Sequence, residues 1–284
     1  MRSPQTARRF LALGIVLLAA IPLAAQDRIQ GSWAALVKEE VLHFKMTIFM
    51  DEDGDLGEWD TSVALRQADL KGLQLADKEH EFQLERDAGK ILFQGRFSGK
   101  RGQGDFEFVP APDFASFLGR EGFDEITDRK LLSLCLCDAG RNYIRDMKQT
   151  GLDDLTLSRI VSFAVHRIDR TYVRDIIEAG FPGISSSHVI SFKVHDIDKA
   201  YIRDMKKAFP DLSSSHLISF AVHEITPVYV RDIVEAGFHG ISSSHVISFK
   251  VHDIDGAYVR RLQKLMDGKT LAPEKVIQLK LAGI

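Results

Sequence analysis

Apolar positions along this chain follow two different periods. Over residues 26–109 the alternation is two-fold: Ile91, Phe93, Phe97, Phe106 and Phe108 are separated by polar positions. That pattern places one packed and one wet face on an antiparallel sheet. Residues 41–50 (VLHFKMTIFM) are rich in β-formers and end at the turn cluster DEDGDLG. Shorter runs at 80–86, 90–97 and 104–109 are joined by Asp87-Ala88-Gly89 and by residues 98–103, both hairpin connections in composition. The expectation is a small sheet of about five or six strands with Trp33 and Trp59 in its core.

After the linker Val109-Pro110-Ala111-Pro112 the period changes, and the chain begins to repeat itself. Residues 172–200 return at 229–257 with only three of 29 positions changed: Ile177 to Val234, Pro182 to His239 and Lys199 to Gly256. Tyr143, Tyr172, Tyr201, Tyr229 and Tyr258 recur at steps of 29, 29, 28 and 29. Such a period marks stacked supersecondary units. Six copies begin at residues 114, 143, 172, 201, 229 and 258, the first a diverged one with Cys137 where later copies carry histidine.

Each copy reads as two short helices. In the copy at 172 the first spans 172–179 and stops at Gly180, while the second starts after Ser185 and runs to about His195. Ile190, Phe192 and Val194 also alternate as a strand would, which leaves a leucine-rich-repeat-like array as the alternative. Helix starts at Ala272-Pro273-Glu274-Lys275 and Thr127-Asp128-Arg129-Lys130 favour helices, as does Ile197 where a leucine-rich repeat needs asparagine. The predicted fold is therefore α+β: an antiparallel β domain at 26–110, then an α-helical solenoid-like array at 111–284. Helices this short are marginal alone, so the stack must stabilise them through a shared apolar face. The last one, VIQLKLAGI, is apolar enough that it either folds back on its neighbour or mediates self-association.

Composition narrows the setting. Arg2, Arg8 and Arg9 precede an apolar run at 10–20 and the small residues Ala24-Ala25, the build of a signal peptide ending at residue 25. Without those three arginines, 34 basic and 40 acidic residues remain, a net charge of −6. Nucleic acid is disfavoured as a partner, because phosphate binding needs a basic face. No second stretch has the length to cross a membrane, so an exported chain, periplasmic or extracellular, is expected. Cys135 and Cys137 stand two apart, too close to bridge on a helix, and read as small buried side chains.

Candidate chemistry is sparse, and no cofactor is predicted. Asp51, Asp53 and Asp55 suggest calcium, but Leu56 and Ser62 stand where an EF-hand needs glycine and glutamate. Ser185-Ser186-Ser187-His188 and its copies at 213–216 and 242–245 set hydroxyls beside imidazole. Their repetition at helix starts fits capping rather than a single nucleophile. His166, His195, His223 and His252 form one column near helix C-termini; His188, His216 and His245 form another in first turns. Stacked helices lie about 8–10 Å apart, too far for neighbours in one column to share a zinc ion at about 2 Å. The charge pairs Arg145-Asp146, Arg174-Asp175, Arg203-Asp204 and Arg231-Asp232 recur on the first helix. They read either as an exposed ladder of salt bridges between copies or as a stripe that a partner recognises.

Tyr-Val-Arg-Asp, the Gly-Phe turn and the His-x-Ile link followed by Thr-Pro or Asp-Lys carry a resemblance. The chain is similar there to repeats of the form Thr-Pro-Glu-Tyr-Val-Arg-Glu-Leu … Gly-Tyr … Leu-Ser … Ile-His-Gly-Val. These occur in uncharacterised exported bacterial proteins and in tails of antirepressor metallopeptidases that sense β-lactams. The resemblance implies a bacterial envelope setting and brings no catalytic residues with it. His80-Glu81 and His223-Glu224 lack the second histidine of H-E-x-x-H, and acidic residues follow His195, His223 and His252 where the family has glycine. The expected function is a non-catalytic protein-interaction module. The alternatives are a small-ligand-binding or sensory protein, with Trp59, Phe93, Phe97 and Phe106 lining a pocket in the β domain, and a hydrolase, which these residues favour least.

Overall fold

The computed structural model describes residues 29–52, 55–266 and 271–284. The expected signal peptide and the side chains of the acidic turn lie outside the described residues. Strands β1 (Ile29–Lys38), β2 (Val41–Glu52), β3 (Asp55–Arg66), β4 (Leu70–Lys71), β5 (His80–Arg86), β6 (Gly89–Ser98) and β7 (Arg101–Pro110) form one sheet. Its order is β3-β2-β1-β7-β6-β5-β4, with every pairing antiparallel. Seven strands exceed the expected five or six. Two residues of β4 are too few to show a period, and β3 mixes Thr61 and Val63 with charged Glu58 and Asp60.

The sheet curls around an aromatic core. Trp33 of β1 lies 5.5 Å from Phe82 of β5, ring to ring. Those strands are three places apart in the order, about 14 Å on a flat sheet at the usual strand spacing. Trp33 is buried, and its indole donates to the carbonyl of Asp105 at 3.0 Å. A side chain at Gly95 would put a Cβ 2.7 Å from that indole, so glycine opposite Gly104 makes its room. Trp59 departs from expectation: it is only half-buried, with the Arg129 guanidinium 4.6 Å from its ring centroid. It sits on the strand at one side of the sheet, where no further strand covers it.

Twelve helices follow among the described residues: α1 (Pro112–Arg120), α2 (Asp128–Leu136), α3 (Arg141–Lys148), α4 (Leu157–Val165), α5 (Arg170–Glu178), α6 (Ser186–Val194), α7 (Lys199–Ala208), α8 (Ser214–Val222), α9 (Pro227–Glu235), α10 (Ser243–Val251), α11 (Gly256–Leu265) and α12 (Pro273–Leu281). The second segment of every copy is helical, and the leucine-rich alternative falls away. Successive odd-numbered helices from α5 to α11 pack on one another, and successive even-numbered helices from α2 to α12 do the same. The array is thus two layers deep, one layer of first helices and one of second helices.

Local sequence explains how each pair closes. Every second helix from α4 to α10 ends on a histidine C-cap, then a residue in the left-handed region: Arg167, Asp196, Glu224 or Asp253, with φ between 50° and 53°. The next residue is a buried isoleucine whose N–H returns to a phenylalanine carbonyl, as Ile197 does to Phe192 at 2.8 Å. The residue after it, such as Asp169 or Asp198, caps the next first helix by accepting from the tyrosine N–H. Four residues suffice to turn one helix into the next. Val173, Ile176, Val189, Phe192 and Ile197 are each at most 1% exposed, and burying each contributes about 1.5–3 kcal/mol.

The sheet closes the first end of the stack. Helix α2 packs on β6 and β7, and the core runs through the junction without a break. Arg86 of β5 donates to the carbonyls of Cys135 and Leu136, at 2.6 and 2.8 Å, satisfying acceptors at the end of α2. Its guanidinium also faces Asp138 at 3.3 Å and Asp69 at 3.7 Å. Solenoids need such terminal covers, and here a β-sheet supplies one.

Candidate functional site

The layer of first helices carries the charged residues that the sequence singles out. Arg145, Arg174, Arg203 and Arg231 stand at equivalent exposed positions on α3, α5, α7 and α9, followed in each case by Asp146, Asp175, Asp204 and Asp232. Neighbouring arginine and aspartate do not pair with each other. Arg174 and Arg231 face Glu178 and Glu235 one turn on in their own helices, at 3.7 and 4.0 Å. Arg145 lies 3.7 Å from Glu121 and over the ring of Phe117. Asp204 pairs with Lys207 within α7.

Two aspartates do reach the next first helix. Asp175 takes Lys199 at 2.8 Å, and Asp232 takes Arg260 at 2.9 Å together with the backbone N–H of Gly256. The hydrogen bond from Lys199 holds the Asp175 carboxyl below its usual range. A side chain at Gly256 would meet the Asp232 carboxylate at 2.4 Å, so the Lys199-to-Gly256 difference between copies changes how each joins its successor. The ladder thus runs through Asp175 with Lys199, Asp232 with Arg260 and Arg145 with Glu121, while Arg174 and Arg231 turn along their own helices.

The five tyrosines act between helices. Tyr143, Tyr172, Tyr201, Tyr229 and Tyr258 donate their hydroxyls to the carbonyls of Ile168, Ile197, Ile225, Ile254 and Ile284, at 2.6 to 2.8 Å. Burial pushes all five phenols above their usual range.

The serine and histidine positions form a second set of ties. Ser185, Ser213 and Ser242 are N-caps, each accepting from the backbone N–H of the histidine three residues on. His188 Nδ1 then lies 3.1 Å from Ser214 Oγ of the next copy, and His216 Nδ1 repeats this with Ser243. In the fifth copy His245 meets Glu274 of the last instead, at 2.9 Å. This is an inter-copy ladder of hydroxyl and imidazole; His188 and His216 find hydroxyls on both ring nitrogens rather than the orienting carboxylate that a nucleophile's base needs. His166, His195, His223 and His252 are the helix C-caps. Among the described residues no group of three or more His, Cys, Asp or Glu could hold a metal ion.

Sequence reasoning missed one buried tie. Ser186 is fully buried, and its hydroxyl and N–H donate to Asp154 of the preceding copy at 2.7 and 3.0 Å. Burial raises the Asp154 carboxyl, but these bonds outweigh it and hold the group below its usual range. The signal lay in Asp154, which stands three residues before the α4 start in a loop otherwise set by turn residues.

The β domain answers its expectation only in part. Phe93, Phe97 and Phe106 are buried in the core at 1%, 1% and 4% exposure and fill most of the curl. A cavity of about 580 Å³ lies on the sheet, bordered by Gln30, Phe49, Leu92, Gln94, Asp105 and Glu107, and reached by Phe93 and Phe106 but not by Phe97 or Trp59. Cys135 is buried and Cys137 half-buried, and burial pushes their thiols up to about 12 and about 11. Comparison with protein-family models, with curated proteins and with solved structures gives no match to this chain.

Proposed function

We propose that this chain is a non-catalytic interaction module of the bacterial envelope that holds a protein partner along its layer of first helices. The observation that carries the reading is the register of the outward arginines. Arg145, Arg174, Arg231 and Arg260 keep 53%, 60%, 64% and 50% of their side chains exposed, and with Arg203, also exposed, they make one per copy from the second to the sixth. Stacked helices place such groups about 8–10 Å apart, so the array offers evenly spaced cations with acidic neighbours rather than a uniformly basic face. That pattern suits a protein surface of alternating charge better than a phosphate backbone. The envelope setting rests on the arginine-led apolar leader and on the family resemblance.

The test is affinity capture from an envelope extract of the producing bacterium, with residues 26–284 as bait, beside the Arg174→Glu, Arg231→Glu variant. The expected result is a protein retained by the parent chain and lost by a variant that melts at the same temperature. Equal retention by both removes the stripe from the reading. A second reading, a small-ligand protein, draws on the 580 Å³ cavity of the sheet. It gains ground if the parent bait retains nothing while small apolar ligands protect Phe49 and Leu92 from exchange or labelling.

A further inference from the structure

The layer of second helices has an outer face of a different kind. In α6, Val189 and Phe192 are buried, and at 100° per residue Ser187, Ser191 and Val194 point the opposite way, with half-buried Ile190 at the edge between the two faces. The same four positions are Ser158, Val161, Ser162 and Val165 in α4, and they recur in α8 and α10 with serine, isoleucine, serine and valine. Val165, Val194, Val222 and Val251 are 61%, 52%, 51% and 51% exposed, and Leu281 continues the column in α12 at 67%.

Half of the serines on this face turn their protons back into their own helix. Ser162, Ser191, Ser219 and Ser248 donate back to the carbonyls of Ser158, Ser187, Ser215 and Ser244 at 3.0 to 3.1 Å. From α4 to α10 the four outward positions carry no ionisable group, in a chain with 27% charged residues. An aliphatic column that stays exposed across five consecutive helices is a surface with a use.

One end of this face is already occupied. In α2 the corresponding positions are Arg129, Leu132, Ser133 and Leu136; the leucines are 0% and 7% exposed on a helix that packs against β6 and β7, and Arg129 lies over the ring of Trp59 in β3. The face is therefore one on which this protein packs, and the packing stops after the first copy.

We infer that two copies of this chain associate through this face, each laying its valine column against the other's second helices. Three observations favour a second copy over a foreign partner. A ladder of fixed period meets a matching period automatically in its own copy across all five helices. From α4 to α10 the four outward positions set no like charge against like in a two-fold contact and offer a foreign partner no charge pattern to select; α12 adds Glu274, which is taken up by His245. Its size also fits: five helices, each about 13 Å long and 8–10 Å apart, present roughly 600 Å² per copy, near the lower bound for a stable pair. The inference does not depend on the arginine face, which lies on the other layer.

Sedimentation velocity of residues 26–284, from about 1 to about 100 µM, tests it. The expected result is a concentration-dependent dimer. Val194→Glu with Val222→Glu, both at exposed positions, should weaken that dimer at least about tenfold while leaving the melting temperature in place. Val228→Glu, 61% exposed but on α9 in the other layer, should leave the dimer unchanged. A parent chain that stays monomeric at the highest concentration overturns the inference. So does a dimer indifferent to the Val194 and Val222 changes, or one equally sensitive to Val228. A monomer that loses a captured envelope protein on the same two changes also overturns it, by placing a foreign partner on the face.

Discussion

Replacing the clamp tyrosines by phenylalanine keeps each ring and removes one hydroxyl. Tyr143, Tyr172, Tyr201 and Tyr229 bond the isoleucine carbonyls of the links at 2.7, 2.8, 2.7 and 2.6 Å. Each link joins a second helix to the next first helix, so each bond ties three helices. Loss of one should cost about 1 kcal/mol, more where the freed carbonyl finds no water. Tyr143 and Tyr201 are two copies apart and should add; all four together should cost about 4 kcal/mol, a large share of a typical 5–15 kcal/mol. The bonds also predict an alkaline response. Burial raises the folded phenols, whereas unfolded ones ionise near pH 10. The stabilising contribution is therefore complete below about pH 10 and is lost as pH climbs toward the folded values, by up to about 1.4 kcal/mol per unit for each tyrosine. Urea unfolding followed by circular dichroism at about pH 8 and pH 10.5 measures both effects. The four-fold variant should be weaker at pH 8 and flatter between the two. Single losses under about 0.3 kcal/mol, or an unchanged alkaline slope, would refute the clamp.

The other predictions concern the links and the junction. Arg167, Asp196, Glu224 and Asp253 hold φ of 53°, 52°, 52° and 50°, where a side chain costs about 1–2 kcal/mol and glycine does not. After allowing about 0.4–1 kcal/mol for the freer unfolded chain, each change to glycine should stabilise by about 0.5–1 kcal/mol. The four-fold glycine variant should melt about 5–10 °C higher by calorimetry; no rise would mean the strain is absorbed elsewhere. Arg86→Ala removes two bonds to the α2 carbonyls from a side chain only 13% exposed. The expected loss is about 3 kcal/mol in urea unfolding, with Arg86→Lys restoring less than half. A loss under about 1 kcal/mol would show that the sheet and the array do not rely on it.

Much of the array was legible because its signals are local. The proline at residue 112, the serine and threonine caps and Gly180 all act within a few residues of themselves, and the helices begin and end there. The acidic residues after His195, His223 and His252 stand at the left-handed positions, where glycine would be the unstrained choice. Contacts that cross copies were harder to see. Adjacent Arg174 and Asp175 look like a pair in sequence, yet one turns along its helix and the other reaches Lys199, 24 residues on. The curl of the sheet was hidden for the same reason. Alternation separates the faces of Phe93 and Phe97 from solvent, but only the crossing of Trp33 to Phe82 shows that the interior is filled.

The placement of the near-identical copies bears on folding. Neighbouring units of like sequence can dock out of step, the characteristic misfolding of repeat proteins. Residues 172–200 and 229–257 are held apart by a diverged copy, so no unit lies beside its own duplicate. Their junctions also differ: Asp175 closes on the ammonium of Lys199, whereas Asp232 closes on the bare backbone of Gly256 and on Arg260. A slip by two units would set Asp175 against Gly256 and Asp232 against Lys199, where a Cβ at the glycine position forces the Asp232 carboxylate to shift. One exchanged residue in 29 thus gives two near-identical copies different junctions, so a slipped register would not reproduce the native pairs.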